Sequence, residues 1–148
     1  MRITICAVGR LKSGPEAELV ADYLQRFART GRGRGLGPAT VAEVEARAGG
    51  RAEEARLLAA ALPRGAHVVA LDERGENMSS EIFAHRLMTL AERGEKDMAF
   101  VIGGADGLDP ELRERADSLL SFGTMVWPHM LVRVMLAEQL YRAASIVA

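Results

Sequence analysis

The chain has 148 residues, 49% hydrophobic and 26% charged, with 19 basic and 20 acidic side chains for a net charge of −1. That length suits one domain over residues 1–148 with a sizeable core. The near-neutral balance argues against a simple nucleic-acid binder, which carries a basic excess. No apolar run approaches a membrane span, and Met1-Arg2-Ile3-Thr4-Ile5 enters strand-like alternation without a signal-peptide layout. The lone cysteine, Cys6, excludes an intramolecular disulfide framework and reads as a small buried filler. No membrane partner and a cytoplasmic setting are expected.

In chain order, residues 2–8 read as a strand and about 16–28 as a helix. Residues 40–44 form a weaker strand, and 51–62 a helix closed by Pro63. A strand over 67–71, a helix over 79–93, a strand over 98–102 and a helix over 110–120 follow. A short strand at 124–127 and a helix over 131–146 complete the pattern. This alternation predicts an α/β fold, a mostly parallel sheet with helices on both faces. Ser79 or Ser80 caps the third helix, Gly94 stops it, and Asp109-Pro110 starts the fourth. No internal repeat or long linker divides the chain. The run Thr30-Gly31-Arg32-Gly33-Arg34-Gly35 reads as a flexible, solvated loop, although Arg26, Arg29, Arg32 and Arg34 leave a local basic patch open.

In such sheets ligands bind beyond the carboxyl ends of the strands. Three loops of the second half stand there: residues 72–75, 103–107 and 127–129. The glycines of residues 103–107 permit close backbone approach. They lack the Lys-Ser/Thr ending of a phosphate loop and the spacing of a dinucleotide loop, which weakens a Rossmann-like nucleotide enzyme as an alternative. No zinc spacing or Gly-x-Ser-x-Gly elbow occurs. His67 and His85 read as structural, and His129, following Pro128, as either a ligand contact or turn packing.

The last helix is apolar on most sides, which marks it for burial in a core or a subunit interface. Arg133 and Arg142 interrupt it, nine positions apart and so on nearly opposite sides. Glu138 lies one turn before Arg142 and pairs with it. Arg133 has no local acid, so its partner is either a carboxylate from another segment or a substrate phosphate.

The runs Ile5-Cys6-Ala7-Val8-Gly9-Arg10-Leu11-Lys12, Leu71-Asp72, Met78-Ser79-Ser80-Glu81 and Phe100-Val101-Ile102-Gly103-Gly104-Ala105-Asp106-Gly107-Leu108 occur in that order. They are followed by Phe122-Gly123-Thr124-Met125-Val126-Trp127-Pro128-His129 and by Leu131-Val132-Arg133-Val134-Met135-Leu136-Ala137-Glu138-Gln139-Leu140-Tyr141-Arg142. Together they closely resemble the RlmH family, the bacterial 23S rRNA pseudouridine-N3 methyltransferases of the SPOUT superfamily. The resemblance implies a C-terminal trefoil knot, which nothing in periodicity shows and which the rule against threaded loops opposes. It further implies a homodimer, 23S rRNA as substrate within the ribosome, and S-adenosyl-L-methionine as methyl donor, with no metal.

Matched position by position, the resemblance places donor contacts at Leu71, Gly103, Phe122, Gly123, Thr124, Met125, Val126 and Trp127. His129 and Arg133 are expected near the target base or its flanking phosphate, and Arg142 on RNA or the dimer contact. Family members usually continue past this C-terminus with a tail of Tyr, His and Arg or Lys, and the region 31–38 has less strand character than theirs. A non-catalytic ribosome-associated binding protein on the same scaffold is therefore the alternative expectation.

Overall fold

A computed structural model describes residues 1–148. Five strands form one parallel sheet: β1 (Arg2–Val8), β2 (Ala39–Val44), β3 (His67–Asn77), β4 (Asp97–Ile102) and β5 (Ser118–Ser121), in the order β2-β1-β4-β3-β5. Five helices connect or follow them: α1 (Pro15–Gly31), α2 (Arg51–Ala61), α3 (Ser80–Glu92), α4 (Pro110–Arg115) and α5 (His129–Val147). The period-two pattern of β1 divides its side chains between two cores. Ile3, Ile5 and Ala7 join a large core with α1, α3 and α5, while Cys6 and Val8 join a smaller one with α2 and α4. Burial pushes the Cys6 thiol up to about 11, so it is an inert filler.

Local chemistry explains the helix starts. Ser79 Oγ accepts from the Ile82 amide at 3.1 Å and caps α3, while Asp109 Oδ1 accepts from the Glu111 amide at 2.9 Å and caps α4 ahead of Pro110. On α5, Arg133, Leu136, Ala137, Leu140, Ala143 and Ala144 recur at helical spacing and are buried, packed against α1 and α3.

The structure differs from the sequence reading at four places. The first is the third strand, which runs to Asn77 instead of residue 71 because it pairs with β5 again beyond a bulge. The fourth helix ends at Arg115, not at residue 120, and the last strand is Ser118–Ser121. A long-range clamp causes this: the Asp117 amide donates to the Val68 carbonyl at 2.8 Å, and the Asp117 carboxylate accepts from the Val68 amide at 2.7 Å. The chain is thereby drawn into parallel register beside β3. The expected strand at 124–127 is instead a loop with no sheet partner, in which Met125 is 73% and Val126 81% exposed. Its β-favouring residues misled the reading because strand propensity reflects packing that this segment lacks. Finally, residues 30 and 31 complete α1, and Arg32–Arg34 form a 3-10 turn closed by Gly35 at φ 71°. Residues 32–35 are exposed as expected, but Gly31 is buried and the stretch is ordered as a helix end.

Candidate functional site

The carboxyl ends of β3, β4 and β5 open onto a cleft of about 720 Å³, within the range of small-molecule sites. Leu71, Ile102 and Leu120 supply its apolar floor. Beyond Leu71 the chain bulges: Leu71 and Glu76 both stand opposite Leu120, so residues 72–75 loop out over the cleft. The Asp72 carboxylate fixes this bulge. It accepts from the Arg74 amide at 2.8 Å and pairs with the guanidinium groups of Arg74 at 3.3 Å and Arg113 at 3.6 Å.

The β4–α4 loop forms the next wall. Gly104 and Gly107 make an isolated bridge, and the turn brings the Gly107 carbonyl so close to Gly103 that a Cβ there would sit 2.7 Å from it. Glycine at 103 is thus required by a close backbone approach. The loop over residues 122–127 closes the cleft. Ser121 Oγ accepts from the Gly123 amide at 3.0 Å and donates to the Gly123 carbonyl at 2.9 Å, and the Trp127 indole N–H donates to the Phe122 carbonyl at 3.3 Å. These bonds leave other amides of the loop and the faces of its apolar side chains open to a ligand.

Of the eight residues expected at a methyl donor, Leu71, Gly103, Phe122, Gly123, Met125, Val126 and Trp127 line this cleft, and Thr124 does not. His129, the first residue of α5, also lines it, and its Nδ1 is buried without a hydrogen-bond partner. Arg133 is elsewhere. It is 1% exposed, donates from Nη1 to Glu43 at 2.7 Å, and donates from Nη2 to the carbonyls of Val8 at 3.2 Å and Gly9 at 3.0 Å. Between the two partners open to Arg133, the carboxylate from another segment is the one found. Glu43 also accepts from the Leu11 amide at 2.8 Å, so this pair ties α5, β2 and the β1–α1 turn together. Arg142 lies outside the cleft, exposed and paired with Glu138 as the spacing predicts. His85 bonds the Glu81 carbonyl on its own helix, in keeping with a structural role.

Sequence reasoning missed an acid behind the cleft wall. Glu54 on α2 projects across the sheet end, with its two carboxylate oxygens 3.0 and 3.2 Å from where a Cβ on Gly104 would stand. Its Oε1 is buried without a partner. Burial, then repulsion from Asp106, raises its pKa above the usual carboxylate range, and His129 opposes the shift. Nothing in the run Ala52-Glu53-Glu54-Ala55 distinguishes this acid from its solvated neighbour.

A strand-end cleft enclosed by three loops of a parallel sheet, with a half-buried histidine at its rim, fits an enzyme that seats a flexible, partly apolar nucleoside. The whole chain, residues 1–148, matches the family model described as "Predicted SPOUT methyltransferase", and the chain belongs to that family. Among similar proteins, that of Dinoroseobacter shibae is 64% identical over 149 residues, covering 100% of this chain and 96% of its own. The protein of Roseobacter denitrificans is likewise 64% identical, and that of Paracoccus denitrificans 61%, each over 100% of this chain and 96% of the relative. All three are named Ribosomal RNA large subunit methyltransferase H. Solved structures agree in fold. A probable methyltransferase from Bordetella pertussis Tohama I superposes with a TM-score of 0.53 at 13% identity, over 96% of this chain and 95% of that one. A probable methylase family protein from Haemophilus influenzae Rd KW20 gives 0.50 at 12% identity, and 98% of this chain covers 66% of its length.

Proposed function

We propose that this protein transfers a methyl group from S-adenosyl-L-methionine to N3 of a pseudouridine in 23S rRNA. The observation that carries this reading is the 64% identity, over the full chain, to proteins named as large-subunit rRNA methyltransferases. The cleft suits the donor. Its apolar floor takes a flat base, and the loops at 103–107 and 122–127 present backbone groups to the edge of that base. The non-catalytic alternative on the same scaffold is not favoured, because the full-length relatives carry an enzyme's name.

Methyl transfer requires loss of the N3 proton and alignment of the freed lone pair with the donor methyl; positioning supplies much of the rate. His129 is the base: its imidazole accepts the proton, N3 keeps the electron pair and bonds the methyl carbon, and the carbon–sulfur bond breaks to leave a neutral thioether. Arg133 acts at one remove, holding the start of α5 and hence His129 through Glu43 and the β1 carbonyls. Arg142 is exposed to an RNA phosphate or to a second protomer.

A single domain of 148 residues carries this work as a homodimer in the cytoplasm, with the C-terminal segment threaded as a trefoil knot. The dimer reading is supported by large apolar side chains left on the surface near α5, namely Met125, Val126, Trp127, Leu131 and Ile146. The chemical reading is tested by incubating ribosomes lacking the modification with the protein and labelled donor. Wild-type protein labels one pseudouridine of 23S rRNA, and His129→Ala binds donor but leaves the RNA unlabelled.

A further inference from the structure

Two buried polar atoms without partners, Glu54 Oε1 and His129 Nδ1, sit at the same end of β1. The Glu54 carboxylate and the Val8 side chain meet over Gly104, at 3.0 and 3.2 Å from the position of a Cβ there. The next residue, Gly9, faces the His129 ring, with Cε1 3.6 Å from its would-be Cβ. An acid and an imidazole, each short of a partner, thus stand on the neighbouring glycines Gly104 and Gly9 behind the wall of the cleft, and no hydrogen bond joins them. We propose that Glu54 is a positioning residue for methyl transfer: its carboxylate, close to His129 but not bonded to it, stabilises the positive charge the ring acquires on taking the N3 proton. This rests on the reading of His129 as the base.

The charge account is complete without another reactant. The proton leaves N3 for the imidazole, the imidazolium forms against the Glu54 anion, and the lone pair left on N3 displaces the thioether from the methyl carbon. The other charged groups around this pair come from every neighbouring element. They are Asp106 of the β4–α4 loop, Arg51 on α2, and the Glu43–Arg133 pair joining β2 to α5, whose charges compensate each other. Asp106 raises the cost of ionising Glu54, and His129 offsets part of it. A carboxylate left unpaired and partly desolvated costs stability, and such groups cluster at functional sites.

The test compares Glu54→Gln, Glu54→Asp and His129→Ala in single-turnover methylation of unmodified ribosomes across pH, with donor affinity measured separately. Glu54→Gln is expected to slow transfer by about tenfold or more, short of the hundredfold or greater loss from removing the base itself, while donor affinity stays within about twofold of wild type. Its acid limb moves to lower pH, because the imidazolium loses its anion. Glu54→Asp restores part of the rate. A Glu54→Gln protein with the wild-type rate and an unmoved acid limb overturns the proposal while leaving His129 as base. Full activity in His129→Ala overturns the reading of the base, and the proposal with it. A loss confined to donor affinity also overturns it, placing Glu54 in donor binding instead.

Discussion

Arg133 shows what a buried cation does in this molecule. Its guanidinium is satisfied by one carboxylate and two carbonyls, although Nε has no partner. Removing one member of a buried pair leaves the other uncompensated. Arg133→Ala is therefore expected to lose about 3 kcal/mol of stability by urea denaturation, and a double-mutant cycle with Glu43→Gln returns a coupling that an exposed pair such as Arg142–Glu138 does not show. Glu54 carries the opposite sign. Its pKa is raised in the folded chain, so the folded state holds the proton more tightly, and the stability this lends is present below the ordinary glutamate range and lost as pH rises through the folded value. Glu54→Gln is accordingly expected to raise the melting temperature near neutral pH, with the gain shrinking in acid. That His129 and seven of the eight residues expected at the donor line one cleft was legible, because motif order and strand ends point to the same loops. Glu54 and Glu43 were not, since an acid becomes special only through a neighbour distant in sequence: Gly104 for one, Arg133 for the other.

At the scale of elements, the apolar periodicity of β1 and β4 and the caps of α3 and α4 were written in local sequence, and the structure places these elements within a few residues of expectation. The segment from α4 to the donor loop was not, because β5 exists through the Asp117–Val68 clamp and the partner strand rather than through its own pattern. The loop over residues 122–127 is held by few bonds and carries the only tryptophan, Trp127, 41% exposed. Adding S-adenosyl-L-methionine is expected to change Trp127 emission, which gives a direct titration of the cleft. Gly103→Ala forces a Cβ to 2.7 Å from the Gly107 carbonyl and is expected to weaken that binding about tenfold or more, roughly 1.4 kcal/mol. On α5, Leu140→Ala removes a fully buried side chain from the seam with α1 and α3 and is expected to cost about 2–5 kcal/mol.

Over the whole molecule, a neutral chain of 148 residues has little surface for both a donor cleft and an RNA interface. Apolar side chains are exposed around the start of α5 and the loop over residues 122–127, and the proposed homodimer would place a second copy there. Composition argued against RNA, and it misleads here because net charge averages over a molecule whose arginines are distributed locally; Arg29, Arg32 and Arg34 lie together at the end of α1 without an acid partner. The most direct test of the account is methyl transfer to ribosomes purified from a strain lacking this modification, with the product mapped by mass spectrometry of 23S rRNA fragments. A single methyl on one pseudouridine, dependent on S-adenosyl-L-methionine and on His129, is the predicted result. Ribosomes left unmethylated by a protein that binds the donor would contradict it.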